Sequence, residues 1–363
     1  MNKNAEQTFT VGIVGNNYEQ QRLIGQALGS PDSTSDIQVF ERFDSSLGQI
    51  FCALTPVEYP KKLKPLLQVL MFSDIHLIVI DLETELNQAI GEIFVAADIF
   101  HKYFNSAVIF VVTNITQQTE WKLERTIKKI QSIMQTTSFK NSPILTLHDK
   151  ADYKSLKKEI IHSKSSNTRN SNIKDYTKVL VDHAFPVKGI GTVALGLVKT
   201  GSISVDQMVE IVGYKGNSKK AMVKNIQKHE RNFKSADTGD RIGLALKGKI
   251  SPKDLNRDSI IVSQGVFQSE KKVEVKVYMS EYFKPKGEKV TPNSETQYTA
   301  LVETKTTPFT LLDGDILLPG KTGQVQLEFG SAVYHDGSGL KGLLVDLNQF
   351  TGKSRILGYF EQL

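Results

Sequence analysis

The alternation of apolar and polar positions divides the chain into two halves of different character. In the first half, short apolar runs alternate with stretches whose apolar residues recur every three or four positions. Phe9 to Val14 is such a run, ending at Gly15, and Leu23, Ile24, Ala27 and Leu28 follow at helical spacing, which predicts a strand, a turn and a helix over Tyr18 to Leu28. Gln38 to Phe43 and Gln49 to Leu54 predict two strands joined through SSLG, and Pro60 to Met71 predicts a helix leading into a buried strand, His76 to Ile80. A helix from about Glu85 to Tyr103, a strand from Ala107 to Thr113, a helix from Thr119 to Met134, a strand from Pro143 to Leu147 and a basic helix from Asp152 to His162 complete the series. Apolar strands separated by amphipathic helices imply a mostly parallel, three-layer α/β domain over residues 1–162.

The serine- and asparagine-rich stretch SKSSNTRNSN has no apolar period, and residues 163–173 are expected to be a linker. From Val179 to Val262 short alternating runs are separated by turns at Gly189, Gly191, Gly201, Gly213 and Gly239, with no long helical pattern. A second β-rich block begins near Lys271, with VEVKVYM, QYTALVET, GQVQLEF and GLLVDL, and ends in ILGYF. Closed antiparallel barrels leave no exposed edges, so two of them are expected, over 174–268 and 269–363.

Composition narrows the chemistry. A chain of 363 residues, 39% hydrophobic, is long enough for two or three cores. Its formal net charge of +6 permits an acidic partner such as nucleic acid. A single cysteine, Cys52, excludes an intramolecular disulfide and a multi-cysteine zinc site, and suits a reducing, cytoplasmic setting. Cys52 lies in the apolar run IFCAL and is expected in the core; the seven histidines have no metal-like spacing, so no metal or other cofactor is expected. The apolar run LLQVLMFSDIHLIVID is broken by Ser73, Asp74 and His76 before it could span a membrane.

Several local motifs resemble the translational GTPases of the elongation factor Tu and selenocysteine-specific elongation factor family. FPVKGIGTVALGLVKTGSI carries Gly189, Gly191, Thr192 and Val193 of that family's second-domain turn; MVEIVG follows; and ADTGDRIGLALKG, from Ala236 to Gly248, matches its A-G-D-x-x-G-L-x-L-x-G pattern. RDSIIV keeps Arg257 of a later element, with Asp258 where glycine is usual. The resemblance covers essentially the whole chain and implies a P-loop-GTPase-like α/β domain followed by the family's two barrels. The residues themselves imply barrel construction: Gly189, Gly191 and Gly239 suit positive φ, and Asp237 or Asp240 suits a backbone-bonding turn.

The positions that would hold guanine nucleotide depart from the family. A phosphate loop needs G-x-x-x-x-G-K-[ST] to present amides, a lysine and a magnesium-binding hydroxyl. GNNYEQQR keeps Gly15 but has Gln20, Gln21 and Arg22 at the other three positions. The family's D-x-P-G-H falls on Thr55, Pro56, Val57, Glu58 and Tyr59, losing the metal carboxylate, the phosphate-facing glycine and the water-positioning histidine. Its N-K-x-D falls on Thr113, Asn114, Ile115 and Thr116, and Thr116 offers no bidentate acceptor for guanine. The interval from Leu28 to Gln38 is also short for a first switch region. These losses together predict a pseudo-GTPase domain that binds no nucleotide and catalyses no hydrolysis.

Macromolecule binding is the function that remains. YKGNSKKAMVKNIQKHERNFK places Lys215, Lys219, Lys220, Lys224, Lys228, Arg231 and Lys234 near the first barrel, with Tyr214 and Phe233 among them, which suits phosphate neutralisation and base stacking. The expected function is a non-catalytic elongation-factor-like protein that binds tRNA, ribosome or another translation component. A divergent active GTPase and a protein-binding scaffold are the alternatives. With the last β-rich run ending at Leu363, the additional RNA-hairpin-binding domain of bacterial selenocysteine factors is not expected, which disfavours specific delivery of selenocysteyl-tRNA.

Overall fold

The computed structural model describes residues 7–166, 176–213, 218–285, 287–294, 296–349 and 352–363, with backbone alone at 33–34 and 165–166. The chain divides into two compact units, residues 1–171 with 350–354, and residues 172–349 with 355–363.

In the first unit the elements run β1 (Thr8–Gly15), α1 (Tyr18–Leu28), β2 (Ser30–Thr34), β3 (Ile37–Asp44), β4 (Gln49–Pro56), α2 (Leu63–Phe72), β5 (Ile75–Asp81), α3 (Gln88–Phe104) and β6 (Ala107–Thr113). A 3-10 turn, Glu120–Lys122, then leads into α4 (Leu123–Met134), β7 (Ile144–Thr146) and α5 (Asp152–Ser166). The seven strands lie in the order β2-β3-β4-β1-β5-β6-β7, parallel from β4 to β7, with β2 and β3 antiparallel at one side.

Period-two alternation along the buried strands feeds both faces of this sheet. Ile109 and Val111 of β6 join a core that includes Ile24 and Leu28 of α1 and Leu156 and Ile160 of α5. Phe110, between them, faces the other side, where its ring centroid lies 5.4 Å from Phe94 of α3 and 5.7 Å from Phe139. Each such fully buried side chain contributes about 1.5–3 kcal/mol. Helix α1 lies close to the sheet because Gly25 has no side chain: a Cβ there would meet the Phe40 ring at 2.4 Å.

The expected strands are present with shifted ends, and the starts of α1 and α3 follow asparagine caps. Asn87 accepts from the Ile90 amide at 3.1 Å, so α3 begins at Gln88 rather than near Glu85. The interval from Leu28 to Gln38 holds β2, an element that apolar patterning did not signal because SPDST has the composition of a turn. Helix α5 continues to Ser166, four residues into the expected linker; residues 167–175 lie outside the described residues.

The second unit consists of two closed antiparallel barrels. The first is built from β8 (Lys178–Val187), β9 (Gly191–Thr200), β10 (Ser202–Ser204), β11 (Met208–Val212), β12 (Lys219–Lys228), β13 (Arg231–Phe233), β14 (Ser235–Asp237), β15 (Arg241–Lys247) and β16 (Ile260–Ser263). Six strands close in the order β11-β16-β8-β9-β15-β12, with β12 pairing back to β11; β13 extends β12, and β10 pairs with β14. Val181, Val198, Val209, Val223, Leu244 and Ile261 fill its interior. The glycines that separate its strands in sequence, Gly189, Gly191 and Gly239 among them, do have positive φ. Asp240 accepts from the Asp237 amide at 2.9 Å, closing the turn that enters β15.

The second barrel closes β17 (Gln268–Met279), β18 (Tyr298–Val302), β19 (Lys305–Gly314), β20 (Thr322–His335), β21 (Lys341–Val345) and β22 (Ile356–Gln362) in the order β17-β20-β19-β18-β21-β22. The two barrels are joined by Lys178 on Glu303 at 2.6 Å and by the Tyr176 hydroxyl donating to Asp336.

Candidate functional site

Parallel strands bring their carboxyl ends to one edge of a sheet, which is where α/β folds bind ligands. In the first unit that edge gathers Gly15, Pro56, Asp81 and Thr113, the last residues of β1, β4, β5 and β6. The connection from β1 to α1 is short: Asn16 and Asn17 alone separate Gly15 from Tyr18. Asn17 caps the helix by accepting from the Glu19 amide at 3.0 Å.

The side chains at this edge are bonded to one another. Asp81, fully buried, accepts from Asn17 Nδ2 at 2.6 Å, from Asn114 Nδ2 at 2.8 Å and from the Glu83 amide at 2.9 Å. Gln20 Nε2 donates to Asn114 Oδ1 at 2.8 Å, and the Thr84 hydroxyl donates to Asn16 Oδ1 at 3.3 Å. One helical position further on, buried Gln21 accepts from the Thr55 hydroxyl at 2.7 Å. Gln20 and Gln21 therefore tie the first turn of α1 to β6 and β4. Gly15 is held by close approach, since a Cβ there would lie 2.7 Å from the Val79 carbonyl oxygen of β5. Arg22 is paired with Glu19, 2.8 Å away, and that carboxylate raises the guanidinium pKa. Glu19 itself puts negative charge at the helix N-terminus, where a phosphate would otherwise be favoured.

The two other diagnostic stretches are likewise committed to local structure. Glu58 pairs with Lys62 at 2.9 Å on the surface. Tyr59 is buried, its hydroxyl donating to the Ala89 carbonyl at 2.6 Å and lying 3.2 Å from Glu92. Thr113 is buried at the end of β6, and Asn114 takes left-handed φ of 57°, a conformation asparagine tolerates. Thr116 forms a turn with Thr119, whose hydroxyl accepts from the Thr116 amide at 2.9 Å. Among the described residues, no group of three or more His, Cys, Asp or Glu side chains could hold a metal ion. Neutral amides, the Thr84 and Thr113 hydroxyls and one carboxylate that already accepts three hydrogen bonds make up this edge, a donor set poor in the charge that magnesium and a nucleoside triphosphate require.

On the first barrel, the basic candidates separate. Lys215 and Tyr214 lie outside the described residues. Lys219 is engaged with Asp254 at 2.8 Å. Lys228, expected to face phosphate, is instead largely buried against Asp240 at 2.5 Å, its ammonium 4.8 Å from the centre of the Phe233 ring. Arg231 lies over the same ring at 5.8 Å. Lys220, Lys224 and Lys234 are exposed. Lys234 and Phe233 line an open groove of about 650 Å³ with Asn225, Asn232, Asp206 and Ser204. Asn225 donates to Asn232 at 2.8 Å across it, and Lys224 immediately precedes Asn225 in β12. Lys220 lies about 16 Å further along the strand. Lys234 thus lines the groove and Lys224 adjoins its Asn225 in sequence, whereas Lys219 and Lys220 do neither.

Two features had no counterpart in the sequence reading. Asp81 closes the apolar run IHLIVID, an acidic residue at the end of a buried strand, and that was its only local signal. On the first barrel, Asp182 is buried against Arg257 at 3.2 Å and Arg241 at 3.7 Å, next to the stacked pair His183 and Phe185. Among the described residues no helix is long and apolar enough to cross a membrane.

No protein-family model matches the chain. An uncharacterized protein of Methanocaldococcus jannaschii is 29% identical over 269 residues, 74% of this chain and 76% of that protein. The selenocysteine-specific elongation factor of the same organism is 30% identical over 194 residues, 53% of this chain and 40% of that protein. Among solved structures, the elongation factor SelB of Methanococcus maripaludis in complex with the GTP analogue GppNHp is similar at a TM-score of 0.82 and 22% identity, covering 98% of this chain and 78% of that one. A bacterial selenocysteine-specific elongation factor is similar at a TM-score of 0.80 and 16% identity, covering 98% of this chain and 58% of that one.

Proposed function

We propose that this chain is a member of the translational GTPase family and a translation factor of the elongation-factor type that works without binding or hydrolysing nucleotide. The single observation that carries this reading is the side-chain network from Asn17 through Asp81 and Asn114 to Gln20. It joins the strand ends that a bound nucleotide would otherwise bridge, and its members are neutral amides gathered around one carboxylate that already accepts three hydrogen bonds. Hydrolysis needs positioning and charge stabilisation at the γ-phosphate. Glu19, Glu58 and Tyr59 supply neither, since each is bonded within its own surroundings or carries the wrong charge.

In this reading the chain binds its partner, tRNA, ribosome or another translation component, through the first barrel and in the cytoplasm. Lys234 in the groove and exposed Lys224, next to Asn225, neutralise phosphates, while Asn225 and Asn232 offer amide donors within the groove. Phe233 contributes less to stacking than its sequence position suggests, because Lys228 and Arg231 already lie against its ring.

Binding of the purified protein to aminoacylated and uncharged tRNA, at two salt concentrations and with or without magnesium GTP, tests the proposal. Salt-sensitive binding that ignores GTP is expected. Tightening by GTP would overturn nucleotide independence, and failure to bind tRNA under every condition would move the partner to ribosomal or protein components.

A further inference from the structure

We infer that the exposed face of α4 is a second nucleic-acid contact, taking an unpaired base of single-stranded RNA on Trp121 with the adjoining phosphates on Arg125 and Lys129. This lies on the α/β unit and is independent of the barrel groove invoked above.

Trp121 is the sole tryptophan of the chain and is 69% exposed, the most exposed of the large hydrophobic side chains among the described residues. Its indole N–H is already satisfied by the Gln118 carbonyl at 2.9 Å, which fixes the ring on the 3-10 turn that opens α4. Helical spacing then sets the rest of the face: Trp121, Arg125, Lys128, Lys129 and Ser132 fall on one stripe, and with Glu124 they line an open groove of about 510 Å³. The opposite stripe, Thr126, Ile130 and Met134, is buried, so α4 cannot roll to hide the indole.

The charges of the face divide into paired and available. Lys128 is held by Glu124 at 2.6 Å, and Lys122 by Glu85 at 3.0 Å. Arg125 and Lys129 are exposed and act on Glu85 only at a distance, lowering its pKa after Lys122 has done so more strongly. Two cations therefore lie one and two helical turns from an exposed π surface.

That combination favours RNA over an acidic peptide. Trp121 is the one apolar side chain lining the groove, so a peptide's leucine or phenylalanine would find no enclosed pocket to enter. A nucleobase needs only a π face and a nearby cation for its phosphate.

The lone tryptophan makes the test specific, because its fluorescence reports on this face alone. The intact protein is titrated with a single-stranded RNA oligonucleotide and, separately, with polyglutamate. Saturable quenching by RNA is expected, weakening about 7-fold between 50 and 200 mM salt for two neutralised phosphates. It should be lost in R125E/K129E, whose sites are exposed, and retained in K224E/K234E on the barrel. No quenching by RNA, equal quenching by polyglutamate, or quenching that survives R125E/K129E would each overturn the inference. The barrel variant separates this result from the proposed function: failure there alters tRNA binding and leaves the Trp121 signal in place.

Discussion

Asn114 Nδ2 lies 2.8 Å from Asp81 Oδ1, and this hydrogen bond ties the end of β6 to the end of β5 at the sheet edge where parallel α/β folds bind their ligands. Asp81 receives three donors and stays buried, while Asn114 passes the link on to Gln20 in α1. The fold is thus closed at this edge by its own side chains.

Removing the acceptor should loosen the α/β unit. Asp81→Ala leaves the Asn17 and Asn114 amides without their carboxylate partner, and hydrogen bonds to a charged group contribute about 1.5–3 kcal/mol each, so a loss of roughly 3–6 kcal/mol is expected. Asn114→Ala should cost about 1–2 kcal/mol, and the double variant less than the sum because the two share one bond. Urea denaturation of the three variants measures this. A change below about 0.5 kcal/mol in Asp81→Ala, the size of an ordinary surface substitution, would mean the network is incidental.

Gly15 and Gly25 are kept small by packing in this account. Gly15→Ala drives a Cβ to 2.7 Å from the Val79 carbonyl oxygen, and Gly25→Ala drives one to 2.4 Å from the Phe40 ring. Each should destabilise by about 1–3 kcal/mol, the usual range for overpacking. Gly15→Ala should do so equally with and without added GTP, as thermal melts in both conditions will show.

Acid should weaken the contact between α5 and the β3 end. Lys157 lies 2.8 Å from Asp44 and, with Ser46, holds the Asp44 carboxyl at about 2, below its ordinary value of 3.8. A depressed carboxylate stabilises the folded state fully above the unfolded pKa, and that contribution fades as pH falls from about 4 through about 2. Lys157→Ala should return the Asp44 titration, followed by NMR, toward the ordinary range and remove the corresponding part of the acid transition.

Among the barrel cations, position in the groove should decide the effect on tRNA. Lys224→Glu and Lys234→Glu should each weaken binding several-fold and flatten its salt dependence. Lys219→Ala should change it little, because Lys219 already serves Asp254, holding that carboxyl at about 2. Equal losses at all three positions, measured by filter binding, would mean the RNA does not enter this groove.

The fold was legible where burial is continuous. β1, β5 and β6 are near-unbroken apolar runs, and the barrel strands alternate between glycine turns, so both patterns declare themselves locally. β2 was not legible, since Ser30–Thr34 earns its pairing with β3 from tertiary context alone. The nucleotide positions could be matched residue by residue, but what replaces their chemistry could not. Asn17 reaches Asp81 across 64 residues, Asn114 reaches it across 33, and Gln20 reaches Asn114 across 94. No local period reports such pairs. The basic stretch was legible as charge, whereas the burial of Lys228 and the pairing of Lys219 depend on neighbours that folding supplies.

The most direct test of the account is calorimetric titration of the intact protein with GTP and with GDP, each in the presence of magnesium. The closed network from Asn17 to Gln20 predicts no saturable heat for either nucleotide up to millimolar concentration. Magnesium-dependent binding in the micromolar range, abolished by substitution at Gly15 or Asp81, would contradict it.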